Sequence, residues 1–350
     1  MSEQDATIAM RKGEVIDIGA LDAELKAHLP GLNGTPDVTQ FPGGASNLTY
    51  RLAYPETTLI LRRPPFGPLP KGAHNMLREA QWIQAIKPHY ALAPEVQLIV
   101  EDSKALGCDY YIMTELKGLI LRRKPPATPE LTPDRCEQLC HTYIQGLVDL
   151  HAIDADQAGL SHLGKGAGYI QRQVNSWTER LAQAQTPDVP DFTPIGEWLA
   201  EQQPDDLSNG LIHNDYRFDN LVLDPGSLEI RGVLDWELAT LGDPLMDLGT
   251  ALAYWVEADD HPAMLAIRPQ PTHLPGMFKR EQLIQAYFEK SGLTPVDFHF
   301  YEVFGLFRLA GILQQIYARF YQGQTQDPRF AGFGQVVSHL HQRCQQAMNP

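Results

Sequence analysis

The chain has 350 residues, 43% of them hydrophobic and 20% charged, with a formal net charge of −15. That length and apolar content suffice for a large packed core, while the surplus of carboxylates disfavours a nucleic-acid partner. The chain has no apolar run long enough to span a bilayer, and its four scattered cysteines make neither a disulfide framework nor a zinc site. The opening Met-Ser-Glu-Gln-Asp lacks the basic and apolar parts of a signal peptide, so a reducing, cytoplasmic setting with no membrane partner is expected.

In chain order, residues 1–18 read as a loosely attached arm. Leu21, Leu25 and Leu29 recur at helical spacing before Pro30-Gly31, which predicts a peripheral helix from Ile18 to Leu29. Val38 to Arg63 reads as three short strands, with Gly43-Gly44-Ala45-Ser46-Asn47-Leu48-Thr49 between the first two. Glycines let a backbone approach phosphates, and Ser46 and the nearby amides can donate to oxyanions. A Gly-Gly pair by itself marks a hairpin turn. Its place ahead of the strand Leu59-Ile60-Leu61-Arg62 makes this one a phosphate-covering loop.

Lys71 to Ile86 is amphipathic and helical and carries Glu79. Val96 to Val100 and Tyr110 to Leu116 predict two further strands, after which strands give way to helices. Leu119 to Pro133 is basic and proline-rich. Its Arg122-Arg123-Lys124 reads either as a solvated loop or as a contact for an anionic part of a substrate. Pro133 to Ala152 is a strong helix with Leu139, Tyr143, Leu147 and Leu150 on one face. Gly166-Ala167-Gly168-Tyr169-Ile170 leads into a helix whose Trp177 belongs in the core and whose Arg172 is structural or faces substrate. A short helix follows at Ile195 to Gln202, and the later helices span 279–289, 300–321 and 331–348. This order is α+β, with a sheet-bearing region at 1–116 and a helical one at 117–350.

The chemistry concentrates in two stretches. Leu211 to Asp224 contains His213-x-Asp215-x-x-x-x-Asn220, the spacing of a kinase catalytic loop. Val233 to Gly249 opens with Asp235 at the end of an apolar run and continues to Asp243-Pro244-Leu245-Met246-Asp247-Leu248. Phosphoryl transfer needs a carboxylate to take the proton of the attacking hydroxyl and oxygen ligands for the magnesium that bridges the phosphates. Asp215 suits the first task. Asn220 and Asp235 suit the second. Short apolar strands on either side, Ile212, Leu221-Val222-Leu223 and Gly232-Val233-Leu234, would hold these polar groups in place. Asp243, just before Pro244, suits a helix cap.

These motifs resemble the aminoglycoside phosphotransferase and choline kinase family, which reads H-G-D-x-x-x-x-N, then I/V-D-W/F-E, then D-P-x-x-D-L. The phrase Tyr216-Arg217-Phe218-Asp219-Asn220, with Leu234-Asp235-Trp236-Glu237-Leu238-Ala239-Thr240-Leu241-Gly242-Asp243-Pro244, is most similar to the kinase-like domain linked to acyl-CoA dehydrogenases and its free-standing bacterial relatives. The one departure is Asn214, where the family has glycine, and a backbone adjustment is expected there. The resemblance runs residue by residue from Val38 to Trp255.

It implies a protein-kinase-like two-lobed fold, with a small antiparallel-sheet N-lobe and a larger, mostly helical C-lobe. It also implies ATP and Mg2+. Arg62 would stand in place of the family's phosphate-contacting lysine, with Glu79 as its helix partner. Gly43, Gly44, Ser46 and Asn47 would cover the phosphates. Met113, Glu115 and Leu116 would form the hinge beside adenine. His213 would support the loop, Arg217 would steady the base or touch the γ-phosphate, and Asp247 would brace the loop. The dehydrogenase-linked subgroup implies a hydroxyacyl-CoA acceptor, whose phosphates Arg122, Arg123 and Lys124 would meet. An aminoglycoside or another amino-alcohol is the alternative, with Glu257, Asp259 and Asp260 supplying an acidic pocket. A nucleotide-binding pseudokinase is the reading of another class. It predicts loss of the base or a metal ligand, yet Asp215, Asn220 and Asp235 are all present. A protein kinase is disfavoured further by the lack of a recognisable D-F-G and A-P-E and of an activation segment between Asp235 and Asp247.

Overall fold

Leu48–Ala53 alternates buried and half-buried residues, and Thr58–Arg63 and Tyr110–Thr114 are apolar runs, so these segments pair into a sheet. In the computed structural model, which describes residues 7–42, 47–67 and 74–349, the strands are β1 (Asp37–Gln40), β2 (Leu48–Ala53), β3 (Thr58–Arg63), β4 (Val96–Val100) and β5 (Tyr110–Thr114). Their order is β1-β2-β3-β5-β4, and every pairing is antiparallel. Helix α1 (Ile18–His28) is capped by the Asp17 side chain and buries Leu21 and Leu25 in a core with Tyr50, Leu52, Leu61, Tyr110 and Ile112. Helix α2 (Met76–Ile86), capped by Asn75, buries Trp82, Ile83, Ile86 and, unusually for a carboxylate, Glu79.

The described part of the leading arm is attached rather than loose. Ile8 pairs with Gln40 at the sheet edge, Ile16 is buried, and the Tyr50 hydroxyl donates to the Glu14 carbonyl at 2.6 Å. A strand edge leaves unpaired amides and carbonyls, and this segment satisfies some of them.

By packing, the chain falls into two units. The first comprises 1–120, 126–130 and 220–239, and the second 121–125, 131–219 and 240–350. The sequence suggested one break, after Leu116. Packing instead places the ribbon of β7 (Leu221–Leu223) and β8 (Ile230–Val233) with the five-stranded sheet, and Leu119 is bridged to Leu223.

The second unit is mostly helical. It comprises α3 (Pro133–His151), α4 (Tyr169–Gln183), α5 (Thr193–Gln202), α6 (Pro244–Ala253), α7 (Pro262–Ile267), α8 (Arg280–Ser291), α9 (His299–Tyr321) and α10 (Phe333–Ala347). It also holds one short strand pair, β6 (Gly210–Ile212) with β9 (Thr240–Gly242). Helix α9 is buried along most of its length, including Arg308 and Gln314. Trp177 is core, as its position predicts, and Arg172 is structural, donating to the Gly166 and Ala167 carbonyls. Helices α6 and α9 meet backbone to backbone. A Cβ on Gly305 would lie 2.1 Å from the Gly249 carbonyl oxygen, and one on Gly249 would lie 2.4 Å from the Tyr301 carbonyl oxygen.

No helix among the described residues is long and apolar enough to cross a membrane. The α6–α9 contact predicts that Gly305→Ala lowers unfolding stability by about 2 kcal/mol, as overpacking does. Gly332, with nothing near its missing Cβ, should tolerate alanine within about 0.5 kcal/mol. Urea melts of the two variants make the comparison.

Candidate active site

In the first unit, Arg62 on β3 points its guanidinium at two carboxylates. It lies 3.1 Å from Glu79 on α2 and 2.8 Å from Asp235, which follows β8. Burial would push the Arg62 guanidinium down, but Glu79, Tyr111 and Asp235 outweigh it and hold the group well above its ordinary value. Burial raises the Glu79 carboxyl, against the opposing pull of Arg62. Arg62 is thus a fixed cation with one terminal nitrogen shared between helix and ribbon. Asp235 has φ +65, a left-handed conformation that aspartate adopts more readily than most non-glycine residues and that its neighbours hold in place. The constraint is visible. Arg78 of α2 donates to the Glu237 and Ala239 carbonyls at 2.8 and 2.6 Å, and the buried Trp236 indole donates to the Val233 carbonyl.

Asn220 enters the same ribbon from its other strand, its carbonyl accepting from the Leu234 amide at 2.8 Å. Asn220 and Asp235 therefore sit at one end of the β7–β8 pair. One amide oxygen and one carboxylate form a hard oxygen donor set. Mg2+ takes few protein ligands and completes its shell with phosphate and water, so these residues fit it. Among the described residues, no group of three or more His, Cys, Asp or Glu side chains is arranged to hold a metal by itself.

The predicted nucleotide contacts are placed unevenly. Gly43, Gly44 and Ser46 lie outside the described residues. Asn47 is buried, its amide donating to Glu237 at 2.9 Å and its oxygen 3.0 Å from the His74 ring, so its side chain is engaged by protein. Met113 is buried on β5. The Glu115 carboxylate is held by Arg51 at 2.6 Å, and Leu116 packs where Gly232 has no side chain.

In the second unit, residues 211–220 set the pattern of the loop. Tyr216 and Phe218 are buried while Asp215, Arg217 and Asp219 between them are not, so these three charged side chains share one side. Arg217 grips Asp215 with two nitrogens, at 3.0 and 3.1 Å, and approaches Asp219 at 3.5 Å. Its guanidinium also lies 4.7 Å from the Tyr254 ring centroid. Burial opposes the charge on Arg217, but Asp215, Asp219 and Tyr254 together raise its pKa. Burial raises the Asp219 carboxyl, against Arg217. On the inner side, Tyr143 and Tyr216 exchange hydroxyl-to-carbonyl bonds at 2.7 and 3.2 Å, and the Phe218 amide donates to Gln270 at 2.8 Å.

The brace is Asp247. Its carboxylate is fully buried and accepts from the His213 amide at 2.7 Å, the Asn214 amide at 2.8 Å and the His151 ring at 3.1 Å. Burial alone would raise its pKa, but the His151 bond, the two histidines and the His213 amide bring it below the ordinary value. His213 in turn accepts the Asp215 amide on Nδ1 at 3.2 Å. Asn214 has φ +65, which accounts for the glycine of the family pattern. Asparagine tolerates that region better than most residues, and its side chain also accepts from the buried Tyr169 hydroxyl at 3.0 Å. The expected backbone adjustment at this position is therefore a left-handed residue.

Two features escaped sequence reasoning. Tyr254 and Gln270 complete the surroundings of Arg217 and Phe218, and nothing in their spacing marks them. The acidic trio Glu257, Asp259 and Asp260 is paired with two cations, Asp259 remaining exposed. Arg280 takes Asp260 at 2.7 and 2.9 Å and Glu257 at 3.2 Å, and Lys279 takes Asp259 at 3.3 Å.

An antiparallel sheet carrying an Arg–Glu–Asp set, with a braced H-x-D loop elsewhere in the chain, defines a protein-kinase-like phosphotransferase. The comparisons agree. The model of the phosphotransferase enzyme family matches residues 37–289, and the chain belongs to that family. Over 337 residues it is 35% identical to acyl-CoA dehydrogenase family member 10 of Mus musculus, a match covering 95% of this chain but only 31% of that protein. A Ralstonia eutropha structure described as an aminoglycoside phosphotransferase matches with TM-score 0.80 and 27% identity, over 95% of this chain and 98% of its own. A complex of aminoglycoside phosphotransferase APH(4)-Ia with AMP-PNP and hygromycin B matches at TM-score 0.52 and 16% identity over 94% of this chain and 98% of its own, a likeness of fold alone.

Two outcomes follow for the loop. Replacing Asn214 by glycine or alanine removes the same Tyr169 bond, and only alanine bears the left-handed φ. Asn214→Ala should therefore be less stable than Asn214→Gly by about 1 kcal/mol in denaturant titrations. For Asp247 the folded pKa lies below the unfolded value near 3.9. Its contribution is full above about pH 4 and fades as pH falls through the lower folded value. The stability gap between the wild type and Asp247→Asn should narrow as pH is lowered from about 5 towards 3, measured by urea unfolding at each pH.

Proposed function

We propose that this chain transfers the γ-phosphoryl group of ATP to a hydroxyl of a hydroxyacyl-CoA. Asp215 accepts the hydroxyl proton as the new O–P bond forms and the bond from the γ-phosphorus to the bridging oxygen breaks, leaving ADP. Arg217 holds Asp215 in position, and Arg62 meets the nucleotide's phosphates. Asn220 and Asp235 hold Mg2+, which when bound neutralises charge on the phosphates. The Arg62–Glu79–Asp235 set beside Asn220 is the observation that carries the kinase reading, because a fixed cation next to hard oxygen donors suits a metal–nucleotide. The AMP-PNP complex of a fold neighbour supports ATP as the donor.

For the acceptor, the support is a basic cluster. Arg122 acts on Asp219, Arg123 and Arg268 lie close enough to repel each other, and Arg268 depresses His273 after burial does. Arg123 and Lys124 are exposed. Like charges gathered this way in an acidic chain favour a polyanionic ligand, and the phosphates of coenzyme A are of that kind. Glu257, Asp259 and Asp260, occupied by Arg280 and Lys279, offer little to a cationic amino-alcohol. All four cysteines are free, three of them buried, in keeping with a reducing compartment such as the cytoplasm.

The test is ADP release with ATP and Mg2+ against hydroxyacyl-CoAs, the matching pantetheine thioesters and aminoglycosides. Asp215→Asn should lower kcat about 100-fold or more. Arg123→Ala with Arg268→Ala should raise KM about fivefold for the CoA ester and leave the pantetheine ester unchanged. Turnover with aminoglycosides alone would overturn the acceptor and keep the kinase. Nucleotide binding without transfer to any acceptor, indifferent to Asp215→Asn, would favour the pseudokinase.

A further inference from the structure

The second unit contains a cavity of about 270 Å3 between α6, the start of α8, α9 and α10. Its walls include none of His213, Asp215 or Arg217. Helix α6 separates the two places. Asp247 and Tyr254 face the loop, while Gly249, Leu252 and Ala253, turned by about half a circle on a 3.6-residue helix, line the cavity.

One wall is apolar, made by Leu252, Ile284, Phe298 and Leu306. The other carries Arg280 and Arg343. These arginines differ in how they are satisfied. Arg280 is saturated by Asp260, Glu257 and the Trp255 carbonyl. Arg343 is 14% exposed, and its one ion pair among the described residues is a loose contact with Glu302 at 3.7 Å, a carboxylate itself 40% exposed. Burial, and then Arg280 beside it, lower the Arg343 pKa. Arg343 is half-buried, and a guanidinium has five donors, so this one loose pair leaves most of them available to a ligand in the cavity.

We propose that this cavity binds a small organic monocarboxylate, its carboxylate on Arg343 and its hydrocarbon chain on the Leu252–Ile284–Phe298–Leu306 wall. The volume suits a ligand smaller than drug size. Glu257, Glu281 and Glu302 also line the cavity, so ligands of higher negative charge such as inorganic phosphate are poor occupants. This site is independent of the acceptor assigned above.

Calorimetry with sodium hexanoate on the full chain tests it, with hexanol, hexylamine and inorganic phosphate as comparisons. Hexanoate should bind, and each of the other three should bind at least tenfold more weakly. Arg343→Gln should weaken hexanoate by about tenfold or more, the loss expected for a charged hydrogen bond. Ile284→Trp, which fills the cavity from the opposite wall, should abolish binding. Thermal melts establish that both variants fold, and a failure of either to fold leaves the other to decide. The proposal is overturned by absence of hexanoate binding to the wild type, by hexylamine or phosphate binding as tightly, or by hexanoate affinity unchanged in a folded variant.

Discussion

The Asp247 carboxylate sits without solvent in the second unit, and burying a charge there is tolerable only because the His213 amide, the Asn214 amide and the His151 ring all donate to it. That satisfaction fixes where two consecutive backbone amides lie. With Asn214 turned left-handed, the chain leaves the brace with Tyr216 and Phe218 facing inward, so Asp215, Arg217 and Asp219 must face out together. The clamp of Arg217 on Asp215 is thus a consequence of backbone placement. The depth of α6 matters for the same reason, since Asp243 caps that helix and also accepts the Leu207 amide at 2.6 Å. Gly249 and Gly305 allow α6 to seat that deeply against α9.

In the first unit the governing quantity is charge balance. Two carboxylates, Glu79 and Asp235, share one guanidinium, Arg62. The set has a surplus negative charge, and Asp235, the more exposed of the two acids, carries it. On the proposed function, a divalent cation at that end of the ribbon would relieve the surplus, and Asn220 would add a neutral oxygen without adding charge. Asp235 is left-handed there, and Arg78 holds the turn that follows it.

Much of this was legible in the sequence because it is local. Leucine spacing gave α1, apolar runs gave the strands, and Asp243-Pro244 marked the start of α6 as a cap. The pairing of Arg62 with Glu79 followed from kinase chemistry, since a strand cation there needs a partner. What stayed hidden depends on contacts between distant residues. The Asp206 carboxylate caps α4 by accepting the Tyr169 and Ile170 amides at 2.9 Å, from 37 and 36 residues away. Arg280 pairs with Glu257 and Asp260, some twenty residues earlier. The arm at 7–17 is held by an edge strand whose need for hydrogen bonds no local pattern expresses.

Net charge illustrates the same limit. A value of −15 excludes a polyanion only if charge is spread evenly, and here it is not. Arg123 lowers the Arg268 pKa after burial does, and Arg122 pulls that of Asp219 down against burial, so positive charge from separate parts of the sequence is felt near the loop. An acidic surface around a local basic patch steers an anionic ligand to that patch and discourages binding elsewhere. The acidic composition that disfavours nucleic acid is therefore compatible with a coenzyme A phosphate at this one place. On the proposal of a coenzyme A ester acceptor, such a patch would also sharpen selection, because a ligand held there by its phosphates would still have to bring a hydroxyl to Asp215 without adding charge near Asp219. A hydroxyacyl thioester would do so, being neutral at its acyl end and anionic at the other.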